Sequence, residues 1–361
     1  MVWLFGVRRI GKTTLCQSLD SAEYFDCELP TVRRQLAEPE RFLAGLRGKR
    51  IVLDEIHRLP RPSEVLKIAA DHYPYVKVVA TGSSTLAATA KFSDTLAGRK
   101  VAVWLTPMMS RDLEEFGGSL ETRLWNGGVP PFFLGGTDSA AAEFEEWLDA
   151  FWARDIQELF RIERRSSFRR FTEMLLLNSG GIFEATTYTG PCEASRPTIS
   201  NYLQVLQETR VAHVLAPFST RRASEIVKAP KVYALDTGFV RHARGLASPR
   251  PEDYGCFWEH YVLNEIHARA PLVKPRYWRT KHGQEVDFVV MRRGRGLLAV
   301  ECTWSEASLR DVSGLAALKR AYSEAEAVVV VPVLSREYKV GLGGTTEATV
   351  VDLEGLLRRL V

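Results

Sequence analysis

The chain lacks a long apolar run. Its longest candidate, Ala327 to Leu334, contains Pro332 and reads as a buried strand, far short of the roughly 18–20 apolar residues of a helical membrane span. Cysteine is sparse too. Cys16, Cys27, Cys192, Cys256 and Cys302 are scattered with no C-x-x-C pair, which argues against a zinc site or a disulfide framework and suits a reducing cytoplasm. The N-terminus reads as a strand and not as a signal peptide. Nor does one sign of charge dominate: 48 Lys and Arg against 44 Asp and Glu leave +4. That balance permits a nucleic-acid partner without demanding one. Apolar residues, by contrast, make up 45% of 361, enough for two or three domains with cores of their own.

The strongest signal lies at the start. The apolar run Val2-Trp3-Leu4-Phe5 leads into Gly6-Val7-Arg8-Arg9-Ile10-Gly11-Lys12-Thr13-Thr14, and Leu15, Ser18 and Leu19 then read as a helix opening. Strand, glycine loop and helix N-terminus form the phosphate-binding arrangement of a P-loop NTPase. Glycines let successive backbone N–H groups close around phosphate oxygens, and the helix N-terminus adds partial positive charge. Lys12 is expected to reach the outer phosphates of ATP, and the Thr13 hydroxyl to hold Mg²⁺.

A second strand completes the pattern. Arg50-Ile51-Val52-Leu53-Asp54-Glu55 is a continuous apolar run ending in two carboxylates, as a buried parallel strand should be. Asp54 is assigned to the Mg²⁺ shell and Glu55 to deprotonation of the attacking water. A third run, Val76 to Ala80, ends in Thr81-Gly82-Ser83-Ser84, where Ser83 or Ser84 can report on the γ-phosphate or simply form a turn.

These strands and the segments C-terminal to them resemble the AAA-type ATPases of prokaryotes, in particular a subfamily whose C-terminal domain is restriction-endonuclease-like. Leu96-Ala97-Gly98-Arg99, Leu105-Thr106-Pro107 and Glu114-Glu115-Phe116 match its "GR … P … EF" segment. Gly127-Gly128-Val129-Pro130 matches a "GG-aromatic-P" turn with Val129 in the aromatic's place, and Arg154-Asp155-Ile156 an "R-D-hydrophobic" helix. The resemblance implies that Arg99 can present a charge to a neighbouring chain's γ-phosphate, the alternative being a salt bridge. It also implies a segment ahead of the first strand that covers the base. Here the strand begins almost at Met1, which leaves adenine recognition unassigned.

The middle reads as helical from about Ser139 to Phe218. Phe144, Trp147, Leu148, Phe151, Trp152, Ile156 and Leu159 give an amphipathic helix over Glu143–Phe160. The basic cluster Arg161, Arg164, Arg165, Arg169 and Arg170 reads as a solvated connector. Ser195-Arg196-Pro197 opens a second helix by capping and first-turn proline, with Ile199, Tyr202, Leu203 and Leu206 on one face. It resembles the recognition helix of a winged helix-turn-helix with Val211–Phe218 as wing. Its polar rather than basic outer face suits a lid or partner dock as well as DNA.

Lys231-Val232-Tyr233-Ala234-Leu235-Asp236-Thr237-Gly238 resembles the family's "YxLDTGL" entry into the last domain. Strand alternation puts Glu285 with Asp287, and Glu301 with Thr303, on common faces. The resemblance implies a Mg²⁺ site for phosphodiester hydrolysis built from Glu259, Asp287 and Glu301. Family nucleases carry Glu-x-Lys, whereas Thr303 stands at the lysine position, and a threonine supplies no positive charge. Lys281 and Lys319 are the candidate substitutes. Without one, a scaffold role is favoured over an active nuclease.

The expected protein is thus α/β in class. It has an AAA-type P-loop domain (1–130), a helical and winged-helix middle (131–222) and a nuclease-like domain (223–361). The expected function is a cytoplasmic, Mg²⁺-dependent ATPase that binds ATP and ADP and acts on DNA, a protein partner or further copies of itself, without a membrane. The alternatives are an ATP-gated nuclease and a non-catalytic nucleotide-dependent interaction module.

Overall fold

A computed structural model describes residues 1–83, 96–135, 140–157, 160, 162, 164–219, 229–305 and 312–360, with positions 83, 140, 141 and 154 described by backbone alone. Ser84, Leu159, Arg161 and the 222/223 boundary lie outside the described residues, as do the side chains of Ser83 and Arg154.

The first sheet contains β1 (Val2–Gly6), β2 (Ala22–Asp26), β3 (Arg50–Asp54), β4 (Lys77–Ser83) and β5 (Val101–Trp104). All pair in parallel, in the order β2-β3-β4-β1-β5. Every strand therefore ends at the same edge, and the loop after β1 meets the carboxylates after β3 there. Ile51, Val52 and Leu53 are fully buried because helices cover both faces, so the strand reads as an unbroken apolar run. Trp3, Ile51, Leu53, Leu66 and Ala80 form the core on one side, and Leu4, Cys16 and Val52 a smaller one on the other.

The middle sheet contains β6 (Gly181–Ile182), β7 (Ala212–Leu215) and β8 (Lys231–Ala234), antiparallel in the order β6-β8-β7. Residues 231–234, which the sequence reading grouped with the last domain, thus pair with strands of the middle region. The third sheet contains β9 (Arg276–Arg279), β10 (Glu285–Arg292), β11 (Gly296–Cys302), β12 (Glu326–Val330), β13 (Tyr338–Gly343) and β14 (Thr346–Val351). Its order is β13-β14-β12-β11-β10-β9, with β11, β12 and β14 parallel and β9, β10 and β13 antiparallel to their neighbours. The helix Ser313–Ala321 covers one face through Leu315 and Leu318. The helix Pro251–Arg269 covers the other, and that core continues into the middle helices through Trp258, Phe257, Tyr202, Phe171 and Trp147.

The amphipathic helix over 143–160 differs in one respect from the sequence reading. An α-helix spans Ala140–Ala150, and a π-helical turn follows at Phe151–Ile156. A π turn holds more residues per turn than an α turn. Phe151, Trp152, Asp155 and Ile156 are all buried in it.

Two of the sequence motifs interlock. Asp236 Oδ2 accepts from Gly128 N at 2.7 Å and its Oδ1 from Gly238 N at 2.8 Å. The fully buried Arg123 donates to Met108 O at 2.6 Å and Thr237 Oγ1 at 3.2 Å, with Asp236 Oδ2 3.7 Å away. A Cβ on Gly128 would fall 2.2 Å from Arg123 Nε, and one on Gly127, at φ 92°, 2.0 Å from Asp236 Oδ1. The glycine pair exists to admit this ion pair. Arg123→Met is expected to cost about 3–5 kcal/mol, because it leaves Asp236 buried without its cation, and urea unfolding would read the loss.

Candidate functional site

The loop after β1 is shaped by close packing. A Cβ on Gly6 would meet Leu105 O at 2.7 Å, and Gly11 adopts φ 94° at the entrance to the helix Lys12–Gln17. Only glycine fits both conditions well. Lys12, buried, donates to Gly6 O at 3.0 Å and Val7 O at 3.1 Å. Burial holds its ammonium below the usual lysine pKa, against the pull of Glu55, Asp155 and Asp54.

Asp54 at the end of β3 gathers donors from three elements. Thr13 Oγ1 donates to Asp54 Oδ2 at 2.8 Å, Tyr24 OH donates to the same oxygen, and Thr81 Oγ1 donates to Oδ1. The two expected Mg²⁺ ligands, Thr13 and Asp54, are thus in direct contact, and their hard oxygen donors suit that ion. Glu55 takes the left-handed conformation at φ 50°, and its N–H donates to Thr81 Oγ1 at 3.1 Å. Its carboxylate lies 3.0 Å from His57 Nδ1. Burial alone would raise the Glu55 pKa, but His57, Lys12 and Arg8 outweigh it and hold the group below the ordinary range.

A cleft of about 440 Å³ opens over the loop. It is lined by Arg8, Arg9, Ile10, Gly11, Lys12, Thr13 and Thr14, by Glu55 and His57, and by Pro130, Pro131, Leu134 and Asp155 from beyond the first sheet. The middle region therefore forms one wall. Arg8 Nε lies 3.5 Å from Asp155 Oδ2, Arg9 pairs with Glu146, and Trp147 Nε1 donates to Arg8 O at 3.0 Å. Sequence reasoning missed Tyr24, Thr81 and His57 here and gave Asp155 no role. Arg99 does not line the cleft, since its Nε donates to Asp71 Oδ1 at 2.7 Å.

The C-terminal carboxylates converge at a second place. Glu259 projects from the helix Pro251–Arg269, Glu285 and Asp287 from β10 and Glu301 from β11. Cys302 N donates to Asp287 Oδ2 at 2.8 Å. The lysine substitutes expected from the sequence are elsewhere. Lys319 donates to Ser323 O and Ala325 O at 3.2 and 2.8 Å, and Lys281 is exposed ahead of β10. Lys231 of β8 occupies the place instead, with Nζ 2.7 Å from Glu259 Oε1, 2.6 Å from Glu285 Oε1 and 3.7 Å from Asp287 Oδ1. Hard carboxylate oxygens suit a divalent cation. Glu301 Oε2 is buried and without a hydrogen-bond partner among the described residues. Glu259, Asp287 and Glu301 do not, however, close into the expected three-carboxylate metal site: no group of three or more His, Cys, Asp or Glu among the described residues is arranged to hold a metal ion.

Comparison with known proteins divides the chain in three. Residues 1–114 match the AAA domain family, 117–250 a domain of unknown function (DUF8612) and 254–346 another (DUF4143). The uncharacterized protein Rv2008c of Mycobacterium tuberculosis is 31% identical over 309 residues, covering 82% of this chain and 68% of the relative. The uncharacterized protein Mb2031c of Mycobacterium bovis matches to the same extent. Among solved structures, AMPPCP-bound DnaA from Aquifex aeolicus aligns at 14% identity and TM-score 0.28, over 57% of this chain and 81% of that one. The Aeropyrum pernix ORC1 protein in complex with DNA aligns at 15% identity and TM-score 0.26, over 68% and 86%. The first domain is an AAA-type P-loop nucleotide-binding domain, and no described helix is long and apolar enough to cross a membrane.

Proposed function

The chain belongs to the family of these mycobacterial proteins, and from that premise we propose that it is a Mg²⁺-dependent ATPase whose nucleotide state moves its middle region. One observation carries the proposal: two arginines of the phosphate loop, Arg8 and Arg9, are held by Asp155 and Glu146 of the segment 140–156. A triphosphate brings negative charge into the cleft that Asp155 shares. Lys12 exchanges its loop carbonyls for phosphate oxygens, and Arg8 exchanges Asp155 for the same anion. Asp155 then faces like charge, and the π-helical turn that carries it is the element that yields.

Turnover follows from the remaining groups. Mg²⁺, held by Thr13 and Asp54, would screen the phosphate charge. Glu55 takes a proton from water as the water oxygen bonds to the γ-phosphorus. The bond from that phosphorus to the bridging oxygen breaks, and its electron pair stays on ADP.

Asp155→Asn tests the coupling. It should tighten binding of a non-hydrolysable ATP analogue by roughly fivefold, about 1 kcal/mol, since it removes a like charge a few ångströms from the phosphates. In the wild type the analogue should speed hydrogen exchange in residues 140–157. The variant should exchange quickly there already. Wild-type exchange in 140–157 that ignores the nucleotide would sink the coupling.

The helix Arg196–Glu208, capped by Ser195 Oγ and followed by β7 and β8, supports a winged helix in the middle region. Its exposed Arg196, Ser200, Asn201 and Gln204 offer a polar face to DNA or a protein partner. Phosphate release with and without DNA would tell these apart. The helix Pro251–Arg269, the antiparallel strands β9–β11 and the parallel β12 support a restriction-endonuclease-like fold at the C-terminus. A second reading, an ATP-gated nuclease, is favoured by the meeting of Lys231 with Glu259, Glu285 and Asp287.

A further inference from the structure

Lys231 comes from the wrong sheet for a Glu-x-Lys site, yet it reaches the right carboxylates. On β8, side chains alternate, so Lys231 and Tyr233 leave by one face. Both donate to Glu259 Oε1, and Lys231 spans on to Glu285 and toward Asp287. Thr303, at the usual lysine position, turns its hydroxyl to Ser305 O at 3.3 Å.

A structural ion pair would need less than is present. Burying an ammonium is costly unless it is paired, and Glu259 with Glu285 already surrounds Lys231. Asp287, whose Oδ2 accepts from Cys302 N, and Glu301 stand beside them, next to the first pair of the β10–β11 ladder, Phe288 with Val300. Glu301 Oε2 is buried with no hydrogen-bond partner among the described residues. Leaving such an oxygen unsatisfied costs stability. Among the described residues the cluster has one internal cation, Lys231, among four carboxyl groups.

Resting on the nuclease reading, we infer that Lys231 is the functional lysine of this site, delivered from the middle sheet in place of the residue at 303. Its Nζ lies 3.7 Å from Asp287 Oδ1, and the proposed phosphodiester approaches from that side. As water oxygen bonds to phosphorus, negative charge builds on the non-bridging oxygens, and the ammonium stabilises it. The bond from phosphorus to one ester oxygen breaks with its electron pair on that oxygen, which takes up a proton. The attacking water gives one proton to solvent. A divalent ion held by Asp287 and Glu301 would add further positive charge there.

The test uses the full chain on plasmid and single-stranded DNA with Mg²⁺ or Mn²⁺, with and without ATP. Mn²⁺ binding is followed separately by electron paramagnetic resonance in the Asp54→Asn background without nucleotide, which removes a ligand of the phosphate-loop site. Wild type should cleave, and Lys231→Met should cleave about 10²–10³-fold more slowly, the usual effect of one lost transition-state donor. Lys231→Met should still bind Mn²⁺, which Asp287→Asn should not. Adding Thr303→Lys to Lys231→Met should restore cleavage to within about tenfold of wild type, a rescue that a merely structural lysine would not permit. Melting curves check folding, and Lys231→Gln, which keeps hydrogen bonds to the glutamates, replaces the methionine variant if that one unfolds. Equal cleavage by wild type and the Lys231 variant would overturn this assignment and leave the nuclease reading standing. No cleavage by wild type or by Thr303→Lys would overturn both.

Discussion

Glu55→Gln should bind Mg·ATP as tightly as the wild-type chain and hydrolyse it about 10²–10⁴-fold more slowly, the usual worth of a general base. Glutamine keeps the shape and the reach toward His57, whose Nδ1 lies 3.0 Å from the carboxylate, but it cannot accept the water's proton. Binding is read by titration with a fluorescent ATP analogue and turnover by phosphate release. Equal turnover by the two chains would remove Glu55 from its role. The acid limb of turnover is also specified. His57, Lys12 and Arg8 outweigh burial and keep Glu55 ionised at lower pH than an ordinary glutamate. The loss of kcat/KM on acidification, which reports the nucleotide-free chain, should therefore begin below the usual carboxylate range.

Lys12→Ala should weaken triphosphate binding by about 10²–10³-fold, roughly 3–4 kcal/mol, since two charge-assisted hydrogen bonds to the outer phosphates are lost together. The ammonium is already positioned by the loop, donating to the carbonyls of Gly6 and Val7. Exchanging those neutral acceptors for phosphate oxygens is the binding event that the variant cannot make. Calorimetric titration with Mg·ATP measures it. Undiminished affinity would show that the loop's lysine does not meet the nucleotide.

The parts of this molecule legible in the sequence are those fixed by neighbours along the chain. The apolar run of β3, the glycine spacing before Lys12 and the Ser195 cap of the helix Arg196–Glu208 carry their cause within a few residues. Thr81 was within reach of the same reasoning, since it lies in the strand β4 that pairs with β3 and its hydroxyl donates to Asp54. Asp155 was not. Its role depends on a π-helical turn and on the packing of Trp147 against the phosphate loop, and no local periodicity marks either. Lys231 is the extreme case, because its partners Glu259 and Glu285 lie 28 and 54 residues away and on a different sheet and helix. Looking for the missing charge only near position 303 therefore pointed to Lys281 and Lys319.

The central claim is that the cleft over Lys12 hydrolyses ATP with Mg²⁺. Phosphate release from ATP by the full chain tests it most directly, measured with Mg²⁺, after EDTA and after Mg²⁺ is restored, beside the Lys12→Ala chain. The account predicts turnover that stops with EDTA, returns with Mg²⁺ and is absent in the variant. Phosphate release no greater than that of Lys12→Ala, or release that survives EDTA, would contradict it.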